Sequence, residues 1–278
     1  MIKSINNCFY KQMRFKYTDY HIHTKWSSDI INNGPSFEDY LPIAKKNRMN
    51  ICFLEHYELY KVENDKFHPF FNGKIEKYLD EIDEIKETHD FVLSGLEVDY
   101  YKERENDLLE FLDEYRKCID FIAGSVHECD IGYPITEKSY ILRLLKTKSL
   151  KQLIDDYFIS VENMIRSKIF KNICHIDTVL RYINPNEIKP SEDCDISDKR
   201  IFNLGLLCIE NGINIEYNLS GPKYSLGRTF PSKKVITNMR ELGANIFIGS
   251  DSHDLKYFKD TISNVKKAYK IIEQIEAK

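Results

Sequence analysis

Short apolar runs alternate with longer amphipathic stretches along the chain. Seven runs rich in β-branched and aromatic residues predict buried strands, at about 15–20, 50–55, 91–97, 119–126, 171–176, 213–218 and 245–250. Apolar residues at helical spacing predict intervening helices at about 36–46, 74–88, 106–117, 149–169, 198–211, 232–242 and 261–275. Strands that alternate with helices form right-handed βαβ units around a parallel sheet. We therefore predict an α/β fold, a parallel barrel that forms a single domain over residues 1–278, with 183–198 as a surface loop.

Composition and charge narrow the function classes. The net charge of −4 leaves no basic footprint for nucleic acid. No stretch approaches the roughly 18 apolar residues of a membrane span, and the first residues carry no signal-peptide core. The seven cysteines are odd in number and none are spaced as CxxC, which is typical of reduced thiols. We expect a cytoplasmic protein that binds neither membranes nor nucleic acid.

Histidines concentrate at the ends of the predicted strands. Six of the eight lie at, or within two residues of, the end of such a run: His21, His23, His56, His127, His175 and His253. Two carboxylates, Glu97 and Asp251, lie at strand ends as well. A parallel barrel brings all carboxyl ends of its strands to one face. The pattern therefore predicts one multinuclear metal site at that face.

The types of side chain agree with this prediction. Residues two apart on an extended chain point the same way, so His21 and His23 can grip one metal. Glu97 can bridge two ions with its two oxygens, and Asp29 in the first loop can supply another oxygen. Mixed nitrogen and oxygen ligands suit zinc, manganese or iron. Any one of these histidines alone would more simply be a half-buried core imidazole, but burying so many ionisable groups without cations would be costly.

The order and spacing of these motifs resemble a known family. The stretches are Asp19–Thr24, Phe53–His56, Gly95–Tyr100, Gly124–His127, His175–Asp177 and Gly249–His253. Together they resemble the polymerase and histidinol phosphatase (PHP) superfamily, and within it the monofunctional histidinol-phosphatase branch. The resemblance implies a distorted seven-stranded TIM-like barrel that holds three divalent metal ions.

The resemblance also implies a ligand set for each ion. His21, His23, Glu97 and Asp251 would hold the first ion; Glu97, His127 and His175 the second; Asp29, His56 and His253 the third. Many superfamily members have histidine where this chain has Asp29. A carboxylate there makes the third site harder and more anionic, which leaves the choice among zinc, manganese and iron open.

The activity that the resemblance implies is hydrolysis of L-histidinol phosphate to L-histidinol and phosphate, a step of histidine biosynthesis. Two close metals lower the pKa of a water between them, and the resulting hydroxide can attack phosphorus. Asp19, Glu55 and Asp177 are candidates either for the acid that protonates the leaving oxygen or for orienting metal ligands. Arg181 is the expected phosphate-binding arginine. Lys223 lies near the place of a second arginine, with Arg228 as an alternative; lysine lacks the bidentate fork of arginine.

Two other functions stay open at this point. The chain can be a different PHP phosphoesterase with the same trinuclear site, such as a phosphodiesterase, a nuclease or another small-molecule phosphatase. It can also be a metal-stabilised barrel used for binding. The second alternative is disfavoured because every expected ligand position holds a competent ligand.

Overall fold

The computed structural model describes residues 13–30, 34–183 and 195–275. Its centre is a seven-stranded sheet whose strands follow one another in chain order. The strands are β1 (Tyr17–Ile22), β2 (Met49–Tyr57), β3 (Val92–Asp99), β4 (Phe121–Ser125), β5 (Asn172–Ile173), β6 (Asn214–Asn218) and β7 (Ile246–Gly249). Consecutive strands pair in parallel throughout. All carboxyl ends of the strands therefore lie on one face.

The first and last strands nearly close the sheet into a barrel. Ile22 forms a parallel bridge with Ser252, and the His23 amide donates to the Ser252 carbonyl over 2.9 Å. The Asp251 amide likewise donates to the His21 carbonyl over 2.8 Å. The predicted seven-stranded α/β barrel is confirmed, and its closure brings the β1 and β7 motifs together.

Helices surround the strands. Those of the described residues are α1 (Phe37–Lys46), α2 (Leu59–Asn64), α3 (Ile75–Thr88), α4 (Glu105–Tyr115), α5 (Lys138–Leu144), α6 (Leu150–Ser167), α7 (Asp198–Glu210), α8 (Lys233–Glu241) and α9 (Leu255–Glu273). None of them combines the length and apolar character that crossing a membrane requires.

Two hydrophobic clusters hold the strands in place. The larger joins the helices to the outer faces of the strands. The smaller consists of Tyr20, Cys52, Leu54, Leu93, Phe121, Ala123, Cys174 and Phe247. Because successive residues of a strand point to opposite sides, residues of the smaller cluster alternate along the strands with residues of the larger cluster. They pack together beneath the polar strand ends.

Several predicted boundaries were wrong. Helices α2 and α5 were not predicted, and α9 begins at Leu255 rather than at Thr261. The fifth strand has two residues rather than the six of 171–176. Of the predicted loop at 183–198, residues 184–194 lie outside the described residues. The last residue of that segment, Asp198, begins α7, which Ser197 caps.

Candidate metal centre

Glu97, near the end of β3, lies at the centre of the histidine cluster and is fully buried. Its Oε1 lies 2.8 Å from Nε2 of His175 and 3.3 Å from Nε2 of His127. Its Oε2 lies 3.0 Å from Nε2 of His21 and 3.4 Å from Nδ1 of His56. The two oxygens thus face different imidazoles, which is the arrangement that a bridging carboxylate needs.

A second group joins the ends of β1 and β7. The ring centroids of His21 and His23 are 4.8 Å apart, and Nε2 of His23 lies 3.6 Å from Oδ1 of Asp251. Asp251 has a φ of 56°, and its Oδ2 accepts a hydrogen bond of 2.9 Å from the Ser220 hydroxyl. One ligand atom from each of His21, His23 and Asp251 can be chosen so that all three lie within 4.8 Å of one another.

A third group lies nearer to solvent. Oδ2 of Asp29 lies 2.8 Å from Nε2 of His253 and 3.6 Å from Nε2 of His56. The His56 ring stacks on that of His23, with centroids 4.5 Å apart. The Asp29 side chain is 48% exposed. All nine residues predicted as ligands therefore converge, and the Asp29 group forms the open side of the cluster.

Four buried atoms in this cluster have no hydrogen-bond partner. They are Nε2 of His23, Nδ1 of His56, Oε1 of Glu97 and Nδ1 of His175. A buried polar atom without a partner costs free energy, and all four residues belong to sets whose ligand atoms lie within 4.8 Å of one another. The donor set of imidazoles and carboxylates fits divalent metals.

The electrostatics at one carboxylate and one imidazole of the cluster suit metal binding. Burial by itself would raise the pKa of Glu97, but the imidazoles of His21, His127, His56 and His175 hold that pKa well below its usual range. Burial, together with the neighbouring imidazoles of His253 and His56, lowers the pKa of His23 well below its usual value. An anionic carboxylate and a neutral imidazole are the forms that bind metals.

The contacts of Glu55 are those of a residue that shapes the first loop. Its oxygens accept hydrogen bonds from the Thr24 amide (3.0 Å), the Thr24 hydroxyl (2.7 Å) and the Ser27 hydroxyl (2.7 Å). The Ser27 hydroxyl in turn lies 2.9 Å from Nδ1 of His23. These contacts favour the orienting role for Glu55 over proton transfer.

Asp19 and Asp177 are both fully buried, and each has one oxygen without a partner. Oδ1 of Asp19 accepts from the Ser250 amide over 2.8 Å, and burial raises the Asp19 pKa to about 6. Oδ2 of Asp177 accepts from Nη1 of Arg228 over 2.7 Å. Burial raises its pKa to about 6 in spite of that cation. A carboxyl group with such a pKa can exist in either form near neutrality, as proton transfer requires.

Comparison with known proteins agrees with this geometry. The profile of the PHP domain matches residues 19–219, a range that covers most of the chain. The chain belongs to the PHP family. It is thus a PHP-family metal-dependent phosphoesterase.

Relatives of this PHP protein share a name. A histidinol-phosphatase of Bacillus subtilis is 28% identical over 262 residues, which cover 84% of this chain and 92% of that protein. A histidinol phosphate phosphatase structure from Lactococcus lactis, complexed with zinc, L-histidinol and phosphate, has a TM-score of 0.71 at 21% identity and covers 95% of each chain. A candidate histidinol phosphatase structure from Listeria monocytogenes has the same TM-score at 19% identity, covering 89% of this chain and 99% of the other. The two structures show a shared fold.

Three cations follow β5 and β6 in the PHP barrel. Arg181 is 7% exposed; Nη2 donates to the Thr178 hydroxyl over 2.8 Å, and the guanidinium lies 4.5 Å from the Tyr224 ring centroid. Nζ of Lys223 lies 4.6 Å from the Tyr257 ring centroid. Among the described residues no carboxylate pairs with either, whereas Arg228 is bound to Asp177. Arg181 and Lys223 are therefore better placed than Arg228 to take an external anion.

Sequence reasoning missed two carboxylates that contact the histidines. Oδ1 of Asp99 lies 2.7 Å from Nδ1 of His127, and Oε1 of Glu216 lies 2.7 Å from Nδ1 of His21. Asp99 lies two residues after Glu97, on the same side of β3, and Glu216 is a lone charge in the apolar strand β6. Alternation within each strand could have revealed both.

Proposed function

We propose that this PHP protein is a phosphomonoesterase whose preferred substrate is L-histidinol phosphate. The observation that carries the proposal is the convergence of nine candidate metal ligands at the strand ends. Two cations that follow β5 and β6, Arg181 and Lys223, have no carboxylate partner among the described residues. The proposed ligands of three divalent ions (zinc, manganese or iron) are His21, His23, Asp29, His56, Glu97, His127, His175, Asp251 and His253.

Divalent metals held by these residues would supply a water of lowered pKa and would neutralise charge on the phosphate oxygens. Arg181 has five N–H donors in a rigid fork that suits phosphate oxygens, and the Tyr224 ring beneath it fixes the plane of the guanidinium. Lys223 adds a second positive charge as a point contact. A buried guanidinium without a carboxylate partner is costly, and an anionic substrate would offset that cost.

A proton must reach the leaving alkoxide oxygen. Asp177 and Asp19 each keep one oxygen without a hydrogen-bond partner, but Asp177 is the better candidate because it is bound to Arg228 and lies in the same segment as Arg181. Asp19 has a similar pKa, but its Oδ1 already accepts the amides of Ser250 and His21. We therefore assign proton donation to Asp177 and the orientation of the β1 and β7 ends to Asp19.

The choice of substrate is supported by the relatives. The Bacillus subtilis relative, 28% identical, is a histidinol-phosphatase. The Lactococcus lactis neighbour was solved with L-histidinol and phosphate. The net charge of −4 also disfavours long polyanionic substrates.

The test is phosphate release from L-histidinol phosphate by protein that has been stripped with a chelator and then reloaded with manganese, zinc or iron. The proposal expects a metal-restored kcat/KM on L-histidinol phosphate well above that on p-nitrophenyl phosphate and on nucleoside monophosphates.

Arg181→Lys should mainly raise the KM for L-histidinol phosphate, because the point charge of lysine replaces the forked guanidinium.

Each other outcome identifies a different error. A metal-dependent rate on generic monoesters alone would support the metal site and exclude L-histidinol phosphate as the substrate. A higher rate on a phosphodiester such as bis-p-nitrophenyl phosphate would replace the monoesterase with a phosphodiesterase. Equal rates with and without metal would overturn the metal assignment itself.

A further inference from the structure

Glu216 is a buried acid for which the proposed reaction has no direct use. It lies in the middle of β6 and is 0% exposed. Its carboxylate occupies space beside Gly249 of the neighbouring strand: a Cβ at that glycine would lie 2.0 Å from Oε1 of Glu216 and 2.5 Å from Cβ of His21. The absence of a side chain at position 249 is thus what lets Glu216 reach β1.

The contacts of Glu216 lead to the metal ligands. Its Oε1 lies 2.7 Å from Nδ1 of His21. Its Oε2 accepts the His175 amide over 2.8 Å and the Asn218 side-chain amide over 3.1 Å. Within the described residues, Glu216 forms an ion pair with His21, and no lysine or arginine pairs with it.

The contact with His21 determines which nitrogen is available. Because a carboxylate only accepts hydrogen bonds, Glu216 favours a proton on Nδ1 of His21. Nε2, which faces Glu97 over 3.0 Å, is then the nitrogen that would ligate a metal. A carboxylate behind a ligating imidazole fixes the tautomer and the orientation of the ring and raises the basicity of the ligand.

The contact with His175 holds a rare backbone conformation. His175 has a φ of 21°, outside the regions that residues with a Cβ favour. Such conformations persist only where the surroundings hold them, and the Glu216 carboxylate accepts the amide of this very residue. The same acid therefore acts on two strand ends, β1 and β5.

We infer that Glu216 is a positioning residue that presents His21 and His175, which face different oxygens of Glu97, to the metals. The inference rests on the proposed function, since it takes both histidines as ligands. Glu216 itself touches neither substrate nor reacting atoms in this role. It couples two ligands that are 154 positions apart in the sequence through one carboxylate.

The test compares Glu216→Gln with the parent protein. Glutamine keeps the size of the side chain, but its amide oxygen can replace only one carboxylate oxygen, so either His21 or His175 loses its acceptor. We expect zinc affinity, measured by competition with a chromophoric chelator, to fall by about 10–100-fold. The visible spectrum of cobalt-loaded protein should also change, because the geometry around the metal changes.

A matched control separates positioning from general loss of stability. Asn214→Ala alters the same strand two residues earlier, where the side chain bonds to Asn172 over 2.8 Å and touches no candidate ligand. It should lower the unfolding temperature of the metal-free protein and leave zinc affinity and the cobalt spectrum unchanged. Glu216→Asp keeps the charge and should recover part of the affinity that Glu216→Gln loses.

The outcomes distinguish the inference from the function on which it rests. If the parent binds no zinc or cobalt, the proposed function fails first. If the parent binds them and Glu216→Gln binds them within about three-fold of the parent, the positioning role is excluded. A cobalt–thiolate charge-transfer band that disappears in Cys174→Ser would also overturn it. That band would mean that the neighbouring set of His21, Cys174 and Glu216 ligates metal directly.

Discussion

Single residues in this barrel each satisfy two demands. A candidate ligand directs one atom toward the cluster and is held from behind by a second contact: Asp99 behind His127, Glu216 behind His21, Ser27 behind His23. Ring orientation is therefore set by buried hydrogen bonds before any metal arrives. Losing a ligand should thus affect function far more than folding.

His127→Ala and, separately, Asp251→Ala should lower kcat/KM on a phosphomonoester by more than about 100-fold, because loss of a ligand exceeds the 10–100-fold effect of losing its outer partner. Circular dichroism should show that the fold is retained. His89→Ala is the matched control, since His89 ends α3 far from the cluster, and it should keep the parental rate. Near-parental rates in both ligand variants would refute the metal assignment.

Asp19→Asn should stabilise the metal-free protein increasingly as pH rises from about 4 to about 6. The folded protein raises the pKa of this carboxyl from 3.8 to about 6, so it binds the proton more tightly than the unfolded chain does. The resulting stabilisation is complete below the unfolded pKa and is lost as pH rises through the folded one. The loss amounts to roughly 3 kcal/mol. The Asp19→Asn variant avoids it because asparagine does not ionise.

Urea unfolding of parent and Asp19→Asn at several pH values, both in the presence of chelator, measures this difference. If the difference in free energy of unfolding between the two proteins does not vary with pH, ionisation of Asp19 does not lower the stability of the folded protein.

Whole elements deliver the side chains to one face. The strands end within a few residues of the ligands, and close packing behind the strands keeps those ends aligned. Gly124, near the end of β4, illustrates how tight this packing is: a Cβ there would lie 2.4 Å from Cδ2 of Phe170 and 2.9 Å from Sδ of Met164.

Gly124→Ala should therefore destabilise the fold by about 1–3 kcal/mol, because an added methyl forces the α6 side of β4 to shift. Thermal unfolding measures the effect. The double variant Gly124→Ala with Phe170→Leu should lose less stability than the two single changes combined, since leucine leaves room for the methyl. Strict additivity of the two changes would contradict the steric explanation.

For the molecule as a whole, metal binding and stability should be linked. The candidate ligands include four nearly or fully buried ionisable residues, Glu97, His21, His23 and Asp251. Only cations can fully offset the free-energy cost of burying these groups together. A ligand present at 100 times its dissociation constant adds about 2.7 kcal/mol. Each kcal/mol shifts the unfolding temperature of a protein of this size by about 2–4 °C.

Reloading the stripped protein with zinc or manganese should accordingly raise its unfolding temperature by roughly 5–10 °C. Differential scanning calorimetry with matched metal and chelator buffers makes the measurement. The His127→Ala variant should show a smaller rise. An equal rise in that variant would show that the stabilising ions bind elsewhere.

The sequence by itself determined the alternation of strands and helices, the barrel and the nine positions that we propose as ligands. Each of these follows from local information: apolar runs of strand length, and polar residues at their ends. The boundaries were harder. Helices α2 and α5 are six and seven residues long, too short for helical periodicity to stand out, and the two-residue β5 is defined only by its neighbours.

Only the tertiary structure decided how the strand ends meet and what lies behind them. Closure of β1 against β7 places His23 near Asp251, and the barrel brings Glu97 of β3 and Glu216 of β6 to the two ring nitrogens of His21. No sequence pattern distinguishes Glu55 as a loop anchor, Arg228 as the partner of Asp177, or Arg181 as a cation that no described carboxylate pairs with. Those distinctions depend on distances between residues far apart in the chain, which arise only when the barrel is packed.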